Sequence, residues 1–272
     1  MNTPHTHEAY IPFNENGRHI YLKQWTPPQL SSSVPIILLH DSLGSVALWR
    51  DFPEHLAIQT KQVVIAYDRL GFGQSSAHPA TLNHQFVATE AITGFAQVLQ
   101  YCHIDDFMVM GHSIGGGMAV CCAAQYPSRC QAVITIAAQS IVEDQTLAGI
   151  SEAKQLFQDA QQFQRLQKYH GEKAQWVLDA WTETWLSTAF RNWNLQAYTA
   201  QVKSPLLVIH GEFDEYGSLL QPRTLIQTTG GPSQLEIIAN TQHMPHKEQP
   251  ALVLKHIQQF IHTLIGKSEQ SR

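Results

Sequence analysis

The sequence predicts an α/β protein with a mostly parallel sheet, helices on both faces and a helical segment inserted late in the chain. Three observations predict it. Short apolar runs alternate with helix-forming segments, a rhythm typical of strands buried on both faces. A serine flanked by small residues follows one of these runs. The strand rhythm then stops over residues 141–198 and resumes at residue 205.

Length and charge narrow the class of protein. The 272 residues are 43% hydrophobic, which suffices for one domain with an insertion. The formal charge is -5, from 17 basic and 22 acidic residues, and there is no basic run. Nucleic acid and an anionic membrane surface are therefore not expected as main partners. We expect a small-molecule substrate, and a monomer or homodimer.

The N-terminal residues and the cysteines indicate the cellular compartment in which the protein is expected. No basic region followed by an apolar core opens the chain, and no apolar run approaches the roughly 20 residues of a membrane span. A signal peptide and a membrane span are not expected, and a cytoplasmic location is predicted. Because three of the four cysteines fall in or just after one predicted helix, free thiols are expected rather than disulfides. The cysteines are Cys102, Cys121, Cys122 and Cys130.

The elements before the insertion follow from apolar periodicity. Residues 10–25 alternate well enough for two strands, with a hairpin turn at residues 14–17. Fully apolar runs predict buried strands, and longer amphipathic segments predict the helices between them. The strands are predicted at residues 35–40, 63–68, 107–112 and 131–137, and the helices over about a dozen residues from Val46, over 83–101 and over 116–125.

The inserted segment is distinguished by its aromatic density. Four of the six tryptophans fall within residues 141–198, where no buried strand is expected. A separate helical cap explains both the interruption and the aromatic residues. The later elements are predicted as strands at residues 205–210 and 235–239 and a helix over 248–265. The predicted domains are a core of residues 1–138 and 200–272 and a cap of residues 139–199.

Residues 107–117 predict a strand, a sharp turn and a helix, with Ser113 at the tip of the turn. Such a turn strains its central residue, so the flanking positions must be small, as Gly111 and Gly115 are. The Ser113 hydroxyl would then lie at a helix N-terminus, whose amides favour negative charge. The alternative is a glycine-rich turn with a bystander serine.

Two later loops supply partners for Ser113. A serine nucleophile needs a base, itself oriented by a carboxylate. In a parallel sheet these partners belong on loops at the carboxyl ends of later strands. Asp214 follows the strand at residues 205–210, and His243 follows the strand at residues 235–239. The chain order Ser, Asp, His is the order expected for this architecture.

The neighbouring titratable residues receive other roles. Glu212 and Glu215 are expected to be solvated loop charges. We expect His246 to line the entrance or face water, and His112 to pack beside the cap. His40 is expected to fix its own loop. Because no histidine pair has a third partner at ligand spacing, neither a metal nor a cofactor is expected.

At these motifs the chain resembles the α/β-hydrolase family over nearly its whole length. Residues 243–250 resemble the family's terminal histidine motif, residues 211–214 its acid loop and residues 68–75 its strand-end turn. Residues 40–44 resemble its oxyanion loop, but Asp41 stands where the family usually has glycine. A carboxylate facing an oxyanion would oppose catalysis, so we expect Asp41 to point away.

The resemblance implies an α/β-hydrolase fold and a serine hydrolase that cleaves a carboxylic ester or lactone through an acyl-enzyme. It implies a catalytic triad of Ser113, Asp214 and His243. It also implies an oxyanion hole formed by the backbone N–H groups of Ser42 and Ile114. Each such donor typically stabilises the transition state by roughly 3 kcal/mol. A serine at the elbow disfavours dehalogenase and epoxide hydrolase chemistry, for which the family uses aspartate.

The substrate remains open at the level of the sequence. Residues 40–53 and the cap are similar, more loosely, to bacterial quorum-quenching hydrolases that open N-acyl homoserine lactones. The alternatives are a short- to medium-chain carboxylesterase, a carbon–carbon bond hydrolase, and a non-enzymatic small-molecule receptor. Trp176, Trp181 and Trp185 are expected to line an acyl-chain tunnel, or else to pack the cap on the core.

Overall fold

A computed structural model describes residues 3–13 and 17–269. In that part of the chain, eight strands form one sheet in the order β1-β2-β4-β3-β5-β6-β7-β8. The β1–β2 and β2–β4 pairs are antiparallel and the other pairs are parallel, which confirms the predicted α/β class. The strands are β1 (His5–Phe13), β2 (Arg18–Thr26), β3 (Ile36–Leu39), β4 (Val64–Tyr67), β5 (Phe107–His112), β6 (Cys130–Ile136), β7 (Leu206–Gly211) and β8 (Ser233–Ile238). Residues 14–16 of the predicted hairpin turn lie outside the described residues.

Helices cover both faces of this sheet. Along β3, Ile36 and Leu38 belong to one apolar core, and Ile37 and Leu39 belong to the other. All four side chains are fully buried, as expected for a central parallel strand. The helices are α1 (Phe52–Thr60), α2 (Phe86–Thr89), α3 (Gly94–Tyr101), α4 (Ile114–Gln125), α5 (Asp144–Leu156), α6 (Ala160–His170), α7 (Ala174–Trp185), α8 (Gln196–Thr199), α9 (Leu220–Thr228), α10 (Pro245–Glu248) and α11 (Pro250–Glu269).

The single helix predicted over residues 83–101 is wrong, because the chain breaks between α2 and α3. A 3-10 turn at Glu90–Ile92 directs the Glu90 carboxylate inward, where it accepts a hydrogen bond from the Tyr67 hydroxyl at 2.6 Å. A Cβ at Gly94 would lie 2.2 Å from Glu90 Oε1, so the half-buried carboxylate occupies the space beside the break. This contact joins residues distant in sequence, and no local pattern indicates it.

The helix predicted from Val46 is also interrupted. A 3-10 turn at Val46–Trp49 ends at Arg50, which has φ 53°, and α1 begins two residues later with Pro53 in its first turn. Proline suits that position because its missing N–H is not needed there. The helix predicted over residues 248–265 is confirmed as α11, which begins at Pro250 after the short α10.

Four helices, α5 to α8, lie between β6 and β7, where the sequence predicts the cap. His170 on α6 accepts a hydrogen bond from Gly73 N and donates one to Leu43 O, at 2.9 and 3.0 Å. Lys173 donates to the carbonyls of Gly73 and Ser75. The inserted helices are therefore tied to two loops at the carboxyl edge of the sheet. The exact division into core and cap stays a prediction.

The cysteines are free, as predicted, and burial raises the pKa of Cys121 and Cys130 to about 12. Such thiols behave as small apolar side chains. Of the helices in residues 3–13 and 17–269, none has the length and apolarity needed to cross a membrane.

Candidate active site

Ser113 lies in the turn between β5 and α4, with φ 56° and ψ -126°. This strained conformation is rare for a residue with a side chain. A Cβ at Gly111 would lie 2.0 Å from Gly115 O, and one at Gly115 would lie 2.2 Å from Leu39 O. The backbone therefore passes too close for any side chain on either flank, and the turn has the geometry of a nucleophile elbow.

Asp214 and His243 form a close pair. His243 Nδ1 lies 2.9 Å from Asp214 Oδ1 and 2.8 Å from Oδ2. Burial lowers the pKa of His243, but the hydrogen bond and charge of Asp214 outweigh burial, so the net shift is upward. Burial opposes ionisation of Asp214, but His243 holds its pKa below the ordinary carboxyl value. The pair is arranged as an ionised acid orienting an imidazole.

The loops that carry Asp214 and His243 pack directly on each other. A Cβ at Gly211 would lie 2.0 Å from Gln242 O, so the acid loop needs glycine at that point. On the other side, Glu248 accepts hydrogen bonds from Gln242 N at 2.7 Å and Met244 N at 3.0 Å. The glutamate of the terminal histidine motif thus clamps the backbone on both sides of His243.

The two carboxylates beside Asp214 are more than solvated charges. Both are exposed, as expected. Glu215, however, accepts a hydrogen bond from His243 N at 3.1 Å, and Glu212 accepts one from Asn240 N at 3.0 Å. The expectation for these residues is corrected accordingly: they connect the acid loop to the histidine loop.

The Ser113 hydroxyl donates to Gln139 Oε1 at 3.2 Å, and among the described residues it has no hydrogen bond to His243. Gln139 is 4% exposed and follows β6, the strand next to the elbow strand. Sequence reasoning missed it. Its position just past the carboxyl end of a neighbouring parallel strand is the signal that could have found it.

Gln139 is expected to restrain the nucleophile in the resting protein. Replacing it with leucine removes the competing acceptor at similar volume, while glutamate supplies a stronger, charged acceptor. A typical hydrogen bond contributes about 1 kcal/mol, which is about fivefold in a rate. We expect Gln139→Leu to be labelled at Ser113 about fivefold faster than wild type by a small fluorophosphonate, and Gln139→Glu to be labelled more slowly. Slower labelling of the leucine variant would contradict this role.

The loop after β3 brings Ser42 and Asp41 to the same edge of the sheet. Within the described part of the chain, the backbone N–H groups of Ser42 and Ile114 have no hydrogen-bond partner. Asp41 Oδ1 accepts from Leu43 N at 2.9 Å, and Oδ2 lies 3.2 Å from His112 Nδ1. Both Asp41 oxygens are therefore engaged away from these two amides.

His40 fixes the same loop through both ring nitrogens. Its Nδ1–H donates to Asp41 O at 2.8 Å, and its Nε2 accepts from Arg69 N at 3.1 Å. The Arg69 guanidinium also donates to Asp41 O, at 3.0 Å. The loop after β3 is thus tied to the turn that follows β4.

The expectations for His112 and His246 are wrong. His112 does not pack beside the cap: its ring lies 5.0 Å from that of His243 and 4.5 Å from that of His246, centroid to centroid. His246 neither lines an entrance nor faces water, since it is 3% exposed and packs on Trp49 and Phe52. The short helix α10 turns it inward, which the motif spacing alone does not indicate.

The three tryptophans predicted to line an acyl-chain tunnel differ in their contacts. Trp181 lies 6.0 Å from the Tyr216 ring, which in turn lies 4.9 Å from the His243 ring. Trp176 stacks on His78 at 5.0 Å. Trp185 is buried against aromatic residues of the inserted segment, Phe190 and Trp193. The contacts of Trp176 and Trp185 are those of packing residues, whereas Trp181 is one ring away from the Asp214–His243 pair.

Metal ligation has no assembled candidate. In the part of the chain that the structure describes, no three His, Cys, Asp or Glu side chains converge as a metal site requires.

The fold and site define a class of protein. A family model described as the alpha/beta hydrolase fold matches residues 34–195, and this chain belongs to that family.

Relatives and solved structures add detail. A mouse protein named 1-acylglycerol-3-phosphate O-acyltransferase ABHD5 is 30% identical over 121 residues, which are 44% of this chain and only 34% of that protein. A proline iminopeptidase from Mycobacterium smegmatis has a TM-score of 0.73 at 19% identity, covering 96% of this chain and all of that one. A thermophilic esterase from Thermogutta terrifontis has a TM-score of 0.66 at 18% identity, covering 95% and 99%. At these identities the structures show a shared fold.

Proposed function

We propose that this protein is a serine hydrolase that cleaves a carboxylic ester or lactone. The observation that carries the proposal is the Asp214–His243 pair, in which Nδ1 lies 2.8 and 2.9 Å from the two carboxylate oxygens. Its imidazole packs on His112 of the strained elbow that holds Ser113. Burial of all three side chains excludes bulk water from the pair and strengthens its electrostatics.

The proposed reaction begins when His243 Nε2 removes the Ser113 proton as Oγ attacks the carbonyl carbon. The N–H groups of Ser42 and Ile114 hold the oxyanion, and Asp214 stabilises the imidazolium. His243 then gives the proton to the leaving alkoxide oxygen, which leaves an acyl-enzyme. Water activated by His243 hydrolyses that ester and restores Ser113. The first step requires the Ser113 hydroxyl to leave Gln139.

The side chains around Ser113 and His243 favour a substrate in which an apolar acyl group adjoins a polar group. Tyr216 and Trp181 supply aromatic surface beside His243, and the Gln139 amide lies beside the nucleophile. An N-acyl homoserine lactone combines an acyl chain, an amide and a lactone, so it remains the finer proposal. A short- to medium-chain ester is the alternative, and the same groups would bind it.

Initial rates on several substrates test both levels of the proposal. N-butanoyl and N-octanoyl homoserine lactone should be compared with p-nitrophenyl butyrate and octanoate, using Ser113→Ala as the control. Ester turnover supports the hydrolase, and lactone opening at a higher kcat/KM supports the quorum-quenching subtype. Ester turnover without lactone turnover removes that subtype. Failure of a fluorophosphonate to label Ser113 would favour a small-molecule receptor instead.

A further inference from the structure

A second imidazole–carboxylate pair, formed by His112 and Asp41, lies behind the proposed triad. His112 Nδ1 lies 3.2 Å from Asp41 Oδ2, and His112 Nε2 lies 2.8 Å from the backbone carbonyl oxygen of His243. The His112 side chain is 1% exposed and that of Asp41 is 19% exposed. The His112 imidazole, which belongs to the elbow, therefore connects the loop after β3 to the backbone of His243.

The partners of His112 show which of its two ring nitrogens carries a hydrogen. A carbonyl oxygen can only accept, so Nε2 of His112 must carry a hydrogen for its contact with His243 to be a hydrogen bond. Nδ1 faces a carboxylate, and that contact needs one further hydrogen, shared between Nδ1 and Oδ2. The Asp41 carboxylate is itself held in place by Leu43 N at 2.9 Å.

Packing leaves the His112 ring little freedom to move. It lies against the rings of His243 and His246, and His246 packs on Trp49 and Phe52. Buried rings at these separations interdigitate closely, so a side chain there keeps one rotamer. The donor that His112 presents to the His243 backbone is therefore fixed in direction.

We propose that Asp41 and His112 are positioning residues for the catalytic base, because they hold the His243 backbone and thereby aim Nε2 at Ser113. This inference rests on the proposed serine hydrolase function. Asp214 orients the ring of His243 through Nδ1. The position of the His243 backbone decides how far Nε2 reaches toward Ser113. A displacement of about 1 Å in such a group can cost about 100-fold in rate.

Two substitutions at position 112 separate positioning from simple packing. A glutamine amide nitrogen reaches about the place of Nε2, whereas an asparagine amide nitrogen reaches about the place of Nδ1. His112→Gln therefore keeps the donor to His243 O, and His112→Asn loses it. We expect kcat to fall about 10- to 100-fold in the asparagine variant with KM within about twofold, and to stay within about fivefold of wild type in the glutamine variant.

Two substitutions of Asp41 test the contribution of its carboxylate, which contacts His112 on the side away from His243. In Asp41→Asn, the amide oxygen can still accept from Leu43 N and the amide nitrogen can donate to His112 Nδ1, so kcat should stay within about fivefold of wild type. In Asp41→Leu neither contact exists, and kcat should fall as in His112→Asn. This pair also provides the contrast if the asparagine variant at position 112 does not fold.

Rates are measured on p-nitrophenyl butyrate and divided by active-site concentration from fluorophosphonate titration, so that lost folded protein does not count as lost catalysis. Turnover by wild type with a lower kcat only in His112→Asn and Asp41→Leu supports positioning. Turnover by wild type with equal kcat within each pair overturns the inference alone. Absence of turnover by wild type, on this ester and on the homoserine lactones alike, overturns the proposed function and the inference together.

Discussion

Replacing Ser113 with alanine is expected to lower kcat for an activated ester by about a millionfold, as loss of the nucleophile does in other serine triads. The reason is that no other residue of the elbow, residues 111–115, carries a hydroxyl that could take its place. The measurement is the steady-state rate on p-nitrophenyl butyrate, with covalent labelling by a fluorophosphonate as a second readout. Activity of the alanine variant within about tenfold of wild type would contradict the assignment.

The same position offers a control that separates catalysis from stability. Ser113 has φ 56°, which costs any residue with a Cβ on the order of 1–3 kcal/mol. Alanine keeps the Cβ, so Ser113→Ala should unfold at nearly the same denaturant concentration as wild type. Ser113→Gly relieves the strain at an entropic cost of about 1 kcal/mol, and should be equally inactive but at least as stable. A strongly destabilised glycine variant would contradict the inferred strain.

Replacing Asp214 with asparagine is expected to lower kcat about 10⁴-fold and to change the pH dependence. His243 acts as a base only when it is neutral, and Asp214 raises its pKa above the ordinary histidine value. Wild-type activity should therefore rise with pH through a midpoint above about 6.5. Without the carboxylate, burial is the largest remaining effect on His243 and lowers its pKa, so the midpoint of the variant should move to lower pH.

The profile of kcat/KM against pH for both proteins checks this prediction. Glu212→Gln is the matched control, because Glu212 lies on the same loop but is exposed, and among the described residues its carboxylate accepts a hydrogen bond only from Asn240 N. Its midpoint should stay at the wild-type position. An unchanged midpoint in Asp214→Asn would contradict the inference that Asp214 raises the pKa of His243.

Much of the architecture could be predicted because its causes are local. Glycine at 111 and 115 marks the elbow, since any side chain there would meet backbone atoms at 2.0 or 2.2 Å. Apolar runs predicted the central strands, because both faces of a parallel sheet are buried. The break after α2 could not be predicted in this way, since the contact between Glu90 and Tyr67 joins two separate elements.

In the candidate site, too, the residues that lie in local motifs could be predicted, and contacts between loops could not. Ser113, Asp214 and His243 could be named from motif and chain order, and the structure places Asp214 and His243 in contact. Gln139 was marked only by its place after β6. The contacts of Tyr216 with His243 and of Asp41 with His112 could not be predicted, because each joins residues from different loops.

The sequence by itself determined the α/β class, the elbow at Ser113 and the order of its proposed partners, because strain, burial and backbone clearance restrict residue type position by position. Only the tertiary structure decided which residues surround His243. It turned His246 inward and set His112 between Asp41 and the His243 backbone. These contacts depend on how the loops pack at the edge of the sheet. A hydrogen bond between loops that are distant in sequence produces no periodic pattern of residues, so the sequence does not indicate it.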